Sequence, residues 1–275
     1  MSQYPQQVID AYRAIFGRHL VSFMWFEQPC NYGHPIGDWK HTSLSGFVMS
    51  LGDQRVLLTA GHAPADLDKR LVTKEATIWG TSLCGSMGFK PTSEAPIPFA
   101  YEKQSRWVIQ NRARGVDVAA IRLEPEVWSR MAANGVEALS IERILSFSES
   151  TFDEYAAMGI PMTTYEKDEY EIDGEIAHEG RSQLVLMPVT LAEPPSDILP
   201  TEHPRIFFRP KTELSTEQVN GMSGAPIFGL QIRENGTLKG YRVVAMQFGH
   251  RDDGLCVASP SEVFAGIVRD WLTTG

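Results

Sequence analysis

The feature that most restricts the fold of this chain is the shortness of its apolar runs. LVSFMWF (20–26), SGFVMSLG (45–52), RVLLTAG (55–61), EATIWG (75–80) and GVDVAAIRL (115–123) are rich in β-branched and aromatic residues, and Gly, Asp, Asn or Pro divides them. Runs of that length and composition predict strands. The texture resumes in EYAAMGIP (154–161), SQLVLMPVTLA (182–192), RIFFRP (205–210), GAPIFGLQI (224–232), KGYRVVAMQFG (239–249) and GLCVAS (254–259). Gly52-Asp53 and Glu234-Asn235-Gly236 mark hairpin turns. Helical spacing occurs at the two ends. Val8, Ile9, Tyr12, Ile15 and Phe16 predict a leading amphipathic helix that stops at Gly17, and Val263, Ile267 and Trp271 predict a closing one. Residues 124–150 mix polar and apolar side chains and read as a connection with some helix. The expected organisation is a helical extension (1–19), a first β-barrel (20–130), a connection (131–150) and a second β-barrel with the closing helix (151–275).

Composition narrows the function. Asp+Glu 34 against Lys+Arg 25 leaves a net charge of -9, the wrong sign for a protein whose main partner is a nucleic acid. The three cysteines, Cys30, Cys84 and Cys256, stand far apart, a sparse and odd count that suits a reducing compartment. The opening MSQYPQQVIDAYRAIF has no apolar core of the kind secretory signals carry, and no uncharged run reaches the length of a membrane span. These observations predict a cytoplasmic protein with no membrane partner.

Three segments carry chemistry. An apolar run ends on a histidine in Leu57-Leu58-Thr59-Ala60-Gly61-His62-Ala63. An aspartate leads into a buried-type strand in Gly115-Val116-Asp117-Val118-Ala119-Ala120-Ile121-Arg122-Leu123. A serine sits in a glycine turn in Asn220-Gly221-Met222-Ser223-Gly224-Ala225-Pro226-Ile227. Amide hydrolysis by serine needs a neighbouring base to accept the hydroxyl proton, and histidine titrates in the right range. A carboxylate behind the imidazole holds its tautomer and stabilises the imidazolium. Glycines around the serine free the backbone to aim N–H groups at a developing oxyanion. Taken singly, each segment is an ordinary packing histidine, strand cap or loop serine; their combination in this order carries the expectation.

LLTAGHA resembles the histidine motif of trypsin/chymotrypsin-like serine proteases, L-T-A-A-H; DVAAIRL resembles their D-[IV]-A-L-[IL]-[KR]-L strand, and GMSGAP their G-D-S-G-G-P. GLCVASPSEV is similar to the closing strand of the bacterial HtrA-like branch. The resemblance runs from about Val21 to the C-terminus. It implies an all-β fold of two six-stranded-type antiparallel barrels, a polypeptide substrate and no cofactor or metal. It also implies His62 as general base, Asp117 as its orienting group, Ser223 as nucleophile, and the Gly221 and Ser223 N–H groups as oxyanion hole. Gln247, Phe248 and Gly249 would pair with substrate, the ordinary reading of Gln247 being a core strand residue. Glu217, six residues before Ser223, matches the base of the S1 pocket, with an exposed loop glutamate as the alternative.

The chain departs from this pattern at Met222, where zymogen-activated relatives place an aspartate that receives a new N-terminal ammonium. A thioether cannot pair with an ammonium. Packing, a ligand or a regulatory protein partner must then order the loop. The competing class is a catalytically silent protease fold used for binding or regulation. An α/β-hydrolase is excluded because Ala225 stands where G-x-S-x-G needs its second glycine, and a zinc hydrolase because the histidines include no HExxH.

Overall fold

The computed structural model describes residues 6–85, 96–141, 144, 151–160, 166–172, 175–181, 184–212, 219 and 221–274. Helix α1 (Gln6–Phe16) leads into β1 (Leu20–Asn31), followed by β2 (His34–Pro35), β3 (Lys40–Leu51) and β4 (Gln54–Thr59). Then come α2 (His62–Thr73), β5 (Ala76–Gly85), β6 (Ile97–Pro98), β7 (Arg106–Asn111), β8 (Val116–Arg122), α3 (Pro125–Ala133) and β9 (Leu139–Ser140). The second half holds β10 (Glu154–Gly159), β11 (Glu166–Ile172), β12 (Glu175–Arg181), β13 (Val185–Ala192) and β14 (Ile206–Pro210). It continues with β15 (Pro226–Ile232), β16 (Leu238–His250), β17 (Cys256–Pro260) and α4 (Ser261–Thr274). Both hairpin signals sit at turns: Leu51 pairs with Gln54 across Gly52-Asp53, and Ile232 pairs with Leu238 across the Asn235-Gly236 turn.

The two halves close differently. The second is a closed barrel in the order β10-β13-β14-β17-β16-β15. The first, expected as a barrel, is an open nine-stranded sheet along β6-β5-β1-β3-β4-β8-β7, with β2 on β1 and β9 on β3. Helix α2 explains the difference, for it packs against both β5 and β7, near opposite ends of that order. Its Ala63 and Leu67 join Phe23, Leu57, Tyr101 and Ile121 in the core of this half, together with Met131 of α3. Helix side chains therefore occupy the space that strand closure would have filled.

A second cluster lies between the two sheets. Phe47 and Leu58 from the open sheet meet Met158, Phe228 and Met246 from the barrel, and both terminal helices add to it, α1 through Tyr12 and Phe16 and α4 through Phe264 and Val268. Phe16 is fully buried, stacked on Phe228 with ring centroids 4.7 Å apart and edge-on to Tyr241 at 4.7 Å. Burying one such ring is worth about 1.5–3 kcal/mol. The leading helix is thus part of the shared core. Among the described residues no helix is long and apolar enough to cross a membrane, and Cys30, Cys84 and Cys256 form no disulfide.

Candidate active site

His62 opens α2 directly after β4, so the imidazole stands at the junction of a strand end and a helix start. Asp117 lies in β8, which pairs antiparallel with β4 (Thr59 opposite Ala119), and this register brings the two residues together. The His62 main-chain N–H donates to Asp117 Oδ1 at 2.6 Å, and His62 Nδ1 is 2.9 Å from Asp117 Oδ2. Asp117 is completely buried, whereas the His62 side chain is 23% exposed. A buried carboxylate without partners would be expensive; here both oxygens accept from one residue. With Nδ1–H donating to the carboxylate, Nε2 is the nitrogen free to accept a proton.

Helix α2 is held from three directions. Arg106 of β7 pairs with Asp68 (Nη2–Oδ1 2.6 Å), its guanidinium lies over the Tyr101 ring, and the Tyr101 hydroxyl donates to the Pro64 carbonyl. At the other end Arg70 pairs with the buried Glu27 of β1, which also accepts from the Trp25 indole N–H. Burial and the charge of Asp68 raise the Tyr101 phenol above its ordinary pKa, against the opposing Arg106 charge.

Ser223 is half-buried in the turn that feeds β15. The turn is held by its main chain. Met222 N–H donates to Val219 O (3.0 Å), Gly224 N–H to Gln247 O (2.7 Å), Ala225 N–H to Met222 O (2.8 Å), and Gln247 N–H returns to Ala225 O (2.9 Å). Among the described residues, the Gly221 and Ser223 N–H groups have no such partner. Gly221 (φ +86°) and Gly224 (φ +89°) adopt left-handed backbone that glycine alone enters cheaply. Gly224 is also pressed so closely on β3 and the end of β4 that a Cβ there would lie 2.0 Å from Ser45 O and 3.0 Å from Ala60 N. That contact sets the serine turn beside the segment leading into His62. No hydrogen bond joins Ser223 to His62 among the described residues.

Met222, where the related pattern has an aspartate, is 1% exposed and packs in the barrel core with Val219, Ala225 and Ile227. Of the positions expected to meet substrate, Gln247 commits its main-chain N–H and carbonyl to the serine turn. Phe248 is buried in a cluster with Ala60, Phe207 and Val257, and Gly249 follows an irregularity in the β16–β17 ladder. Glu217 lies outside the described residues. Ser45, which the motifs did not single out, touches the serine turn directly: its N–H and its hydroxyl both reach Gly221 O.

No protein-family model and no curated protein matches the sequence. Among solved structures, the chain is similar to the Rv3671c protease in its inactive form, at TM-score 0.45 and 16% identity over 97% of this chain and 95% of that one. It is also similar to AL20, a thermostable serine protease from an extremophilic microorganism, at TM-score 0.43 and 11% identity over 89% of this chain and 91% of that one. Neither is described as a member of the HtrA-like branch.

Proposed function

We propose that the chain is a serine endopeptidase in which Ser223 is the nucleophile, His62 the general base and Asp117 the group that orients it. The observation that carries this reading is the pairing of the buried Asp117 carboxylate with His62 Nδ1 at 2.9 Å. It leaves Nε2 as the only imidazole nitrogen able to take a proton. In the acylation step Ser223 Oγ attacks the scissile carbonyl carbon and its proton passes to Nε2. The imidazolium, stabilised by Asp117, then delivers that proton to the leaving amine. The N–H groups of Gly221 and Ser223, unpaired among the described residues, support a role as the oxyanion hole, and they favour an enzyme over a silent fold. The hydroxyl–imidazole bond, commonly long or poorly aligned without substrate, forms as the acyl group is positioned.

The substrate class is a polypeptide strand. Gln247 is committed to the serine turn, and Gly249 is paired with Val257 of β17. The test is labelling with a fluorophosphonate. Ser223 Oγ displaces fluoride from phosphorus, and the serine proton leaves through His62. Labelling of the wild type that is lost in both Ser223→Ala and His62→Ala, with unchanged circular dichroism, is the expected result. An unlabelled wild type overturns the assignment.

A further inference from the structure

We propose that Ser45 is a positioning residue for the oxyanion-binding turn, resting on the peptidase reading above, and that it does by neutral hydrogen bonds what an inserted ammonium does in zymogen-activated enzymes. Ser45 lies in β3 and is 1% exposed. Its N–H donates to Gly221 O at 3.1 Å and its hydroxyl donates to the same oxygen at 2.7 Å. The hydroxyl in turn accepts from the Ile160 N–H at 2.8 Å, at the end of β10. The Ser45 carbonyl accepts from the buried Thr59 hydroxyl at 2.7 Å. One serine therefore ties together the open sheet, the barrel and the turn that bears the nucleophile.

The geometry has a direct consequence for the N–H groups. With the Gly221 carbonyl gripped by two donors, the peptide plane joining Gly221 to Met222 cannot rotate. The direction of the Gly221 N–H then depends only on the two dihedrals of Gly221 itself, ψ and φ, the latter at +86°. A flip of the Gly221–Met222 peptide plane would have to break both bonds to Ser45 and the Met222 N–H bond to Val219 O. Met222 cannot provide the alternative anchor, because its side chain is an uncharged thioether sunk in the barrel core. The two facts fit together. A turn with Met222 in place of the aspartate is held by a buried hydroxyl.

The experiment compares Ser45→Ala with Ser50→Ala on the same strand, where the Ser50 hydroxyl donates to Leu139 O, away from the turn. Fluorophosphonate inactivation is resolved into its maximal rate and its half-saturating concentration, and amide hydrogen exchange is followed over 219–225. In Ser45→Ala the maximal rate falls by about 10- to 100-fold, as expected for loss of one buried hydrogen bond that serves the transition state. Half-saturation is unchanged, and exchange in 219–225 speeds up. Ser50→Ala alters neither. If Ser45→Ala does not fold, Ser45→Cys, which keeps a weak donor, gives an intermediate rate. Wild-type labelling in Ser45→Ala, equal slowing in Ser50→Ala, or slowed labelling without faster exchange overturns the proposal. An unlabelled wild type defeats the peptidase reading instead, and the exchange comparison then decides the role of Ser45 by itself.

Discussion

The histidine side and the serine side of the site are built by different means. His62 and Asp117 meet through side-chain chemistry on an open sheet. A carboxylate takes both of its partners from one histidine, and α2 is braced by Asp68–Arg106 and Glu27–Arg70. The serine turn hangs on a closed barrel and is held by main-chain hydrogen bonds and two left-handed glycines. An open sheet has free edges and needs helices and ion pairs to fix what stands on it. A closed ladder supplies rigidity through the backbone, so its functional loop can do without charged braces.

The largest effect expected from this contrast is chemical. Ser223→Ala removes one oxygen atom and should abolish labelling and peptidase activity while the melting temperature holds; residual labelling at the wild-type rate would detach the barrel from the chemistry. Asp117→Asn follows. It keeps the shape but loses the charge that selects the His62 tautomer, and a drop of about 10,000-fold in turnover is expected. An activity within tenfold of wild type would reduce Asp117 to a structural partner.

Gly224→Ala sharpens the other side. The new methyl would meet Ser45 O and Thr59 Oγ1 in a backbone region that L-residues avoid, so a loss of about 3 kcal/mol or more is expected in urea melts. A neutral result would mean that the turn is not pressed on β3. Arg106→Met tests the ionic brace. The pair with Asp68 is only partly buried, so about 1 kcal/mol is expected. A matched Arg114→Met at the exposed pair with Glu202 should leave the melting temperature unchanged. The smallest effect concerns thiols. Burial pushes Cys256 up to about 12, so almost none of it is thiolate near neutral pH. At pH 8 iodoacetamide should therefore alkylate the half-buried Cys30 and spare Cys256, as peptide mass spectrometry would report.

How legible each side was in the sequence follows from the range of the interactions. His62, Asp117 and the serine turn each stand in a short segment whose composition announces a strand end or a glycine turn, and those are local properties. Closure of the first sheet is not local. It turns on α2, whose helix-start signal (Ala63-Pro64, then Leu67 and Leu71 at helical spacing) follows so closely on the strand Gln54–Thr59 that the histidine reads as a strand end. Ser45 was invisible for a plainer reason. Its partners Ile160 and Gly221 are 115 and 176 residues away, and a serine before a glycine in a strand has no pattern that names them. Gln247 carried two readings, and the structure gives its main chain to the turn.

The burial of Phe16 bears on how the molecule assembles. Its ring rests on Phe228 and Tyr241, residues near the opposite end of the chain, and Phe264 and Val268 belong to the same cluster. Contacts between such distant positions are slow to form, because a long loop must close before they repay its entropy. During synthesis α1 emerges before either sheet and keeps an aromatic face uncovered until β15 and β16 have been made. A nascent chain in that state is open to misassociation and to chaperone binding, and the shared core is completed only when the barrel closes around it.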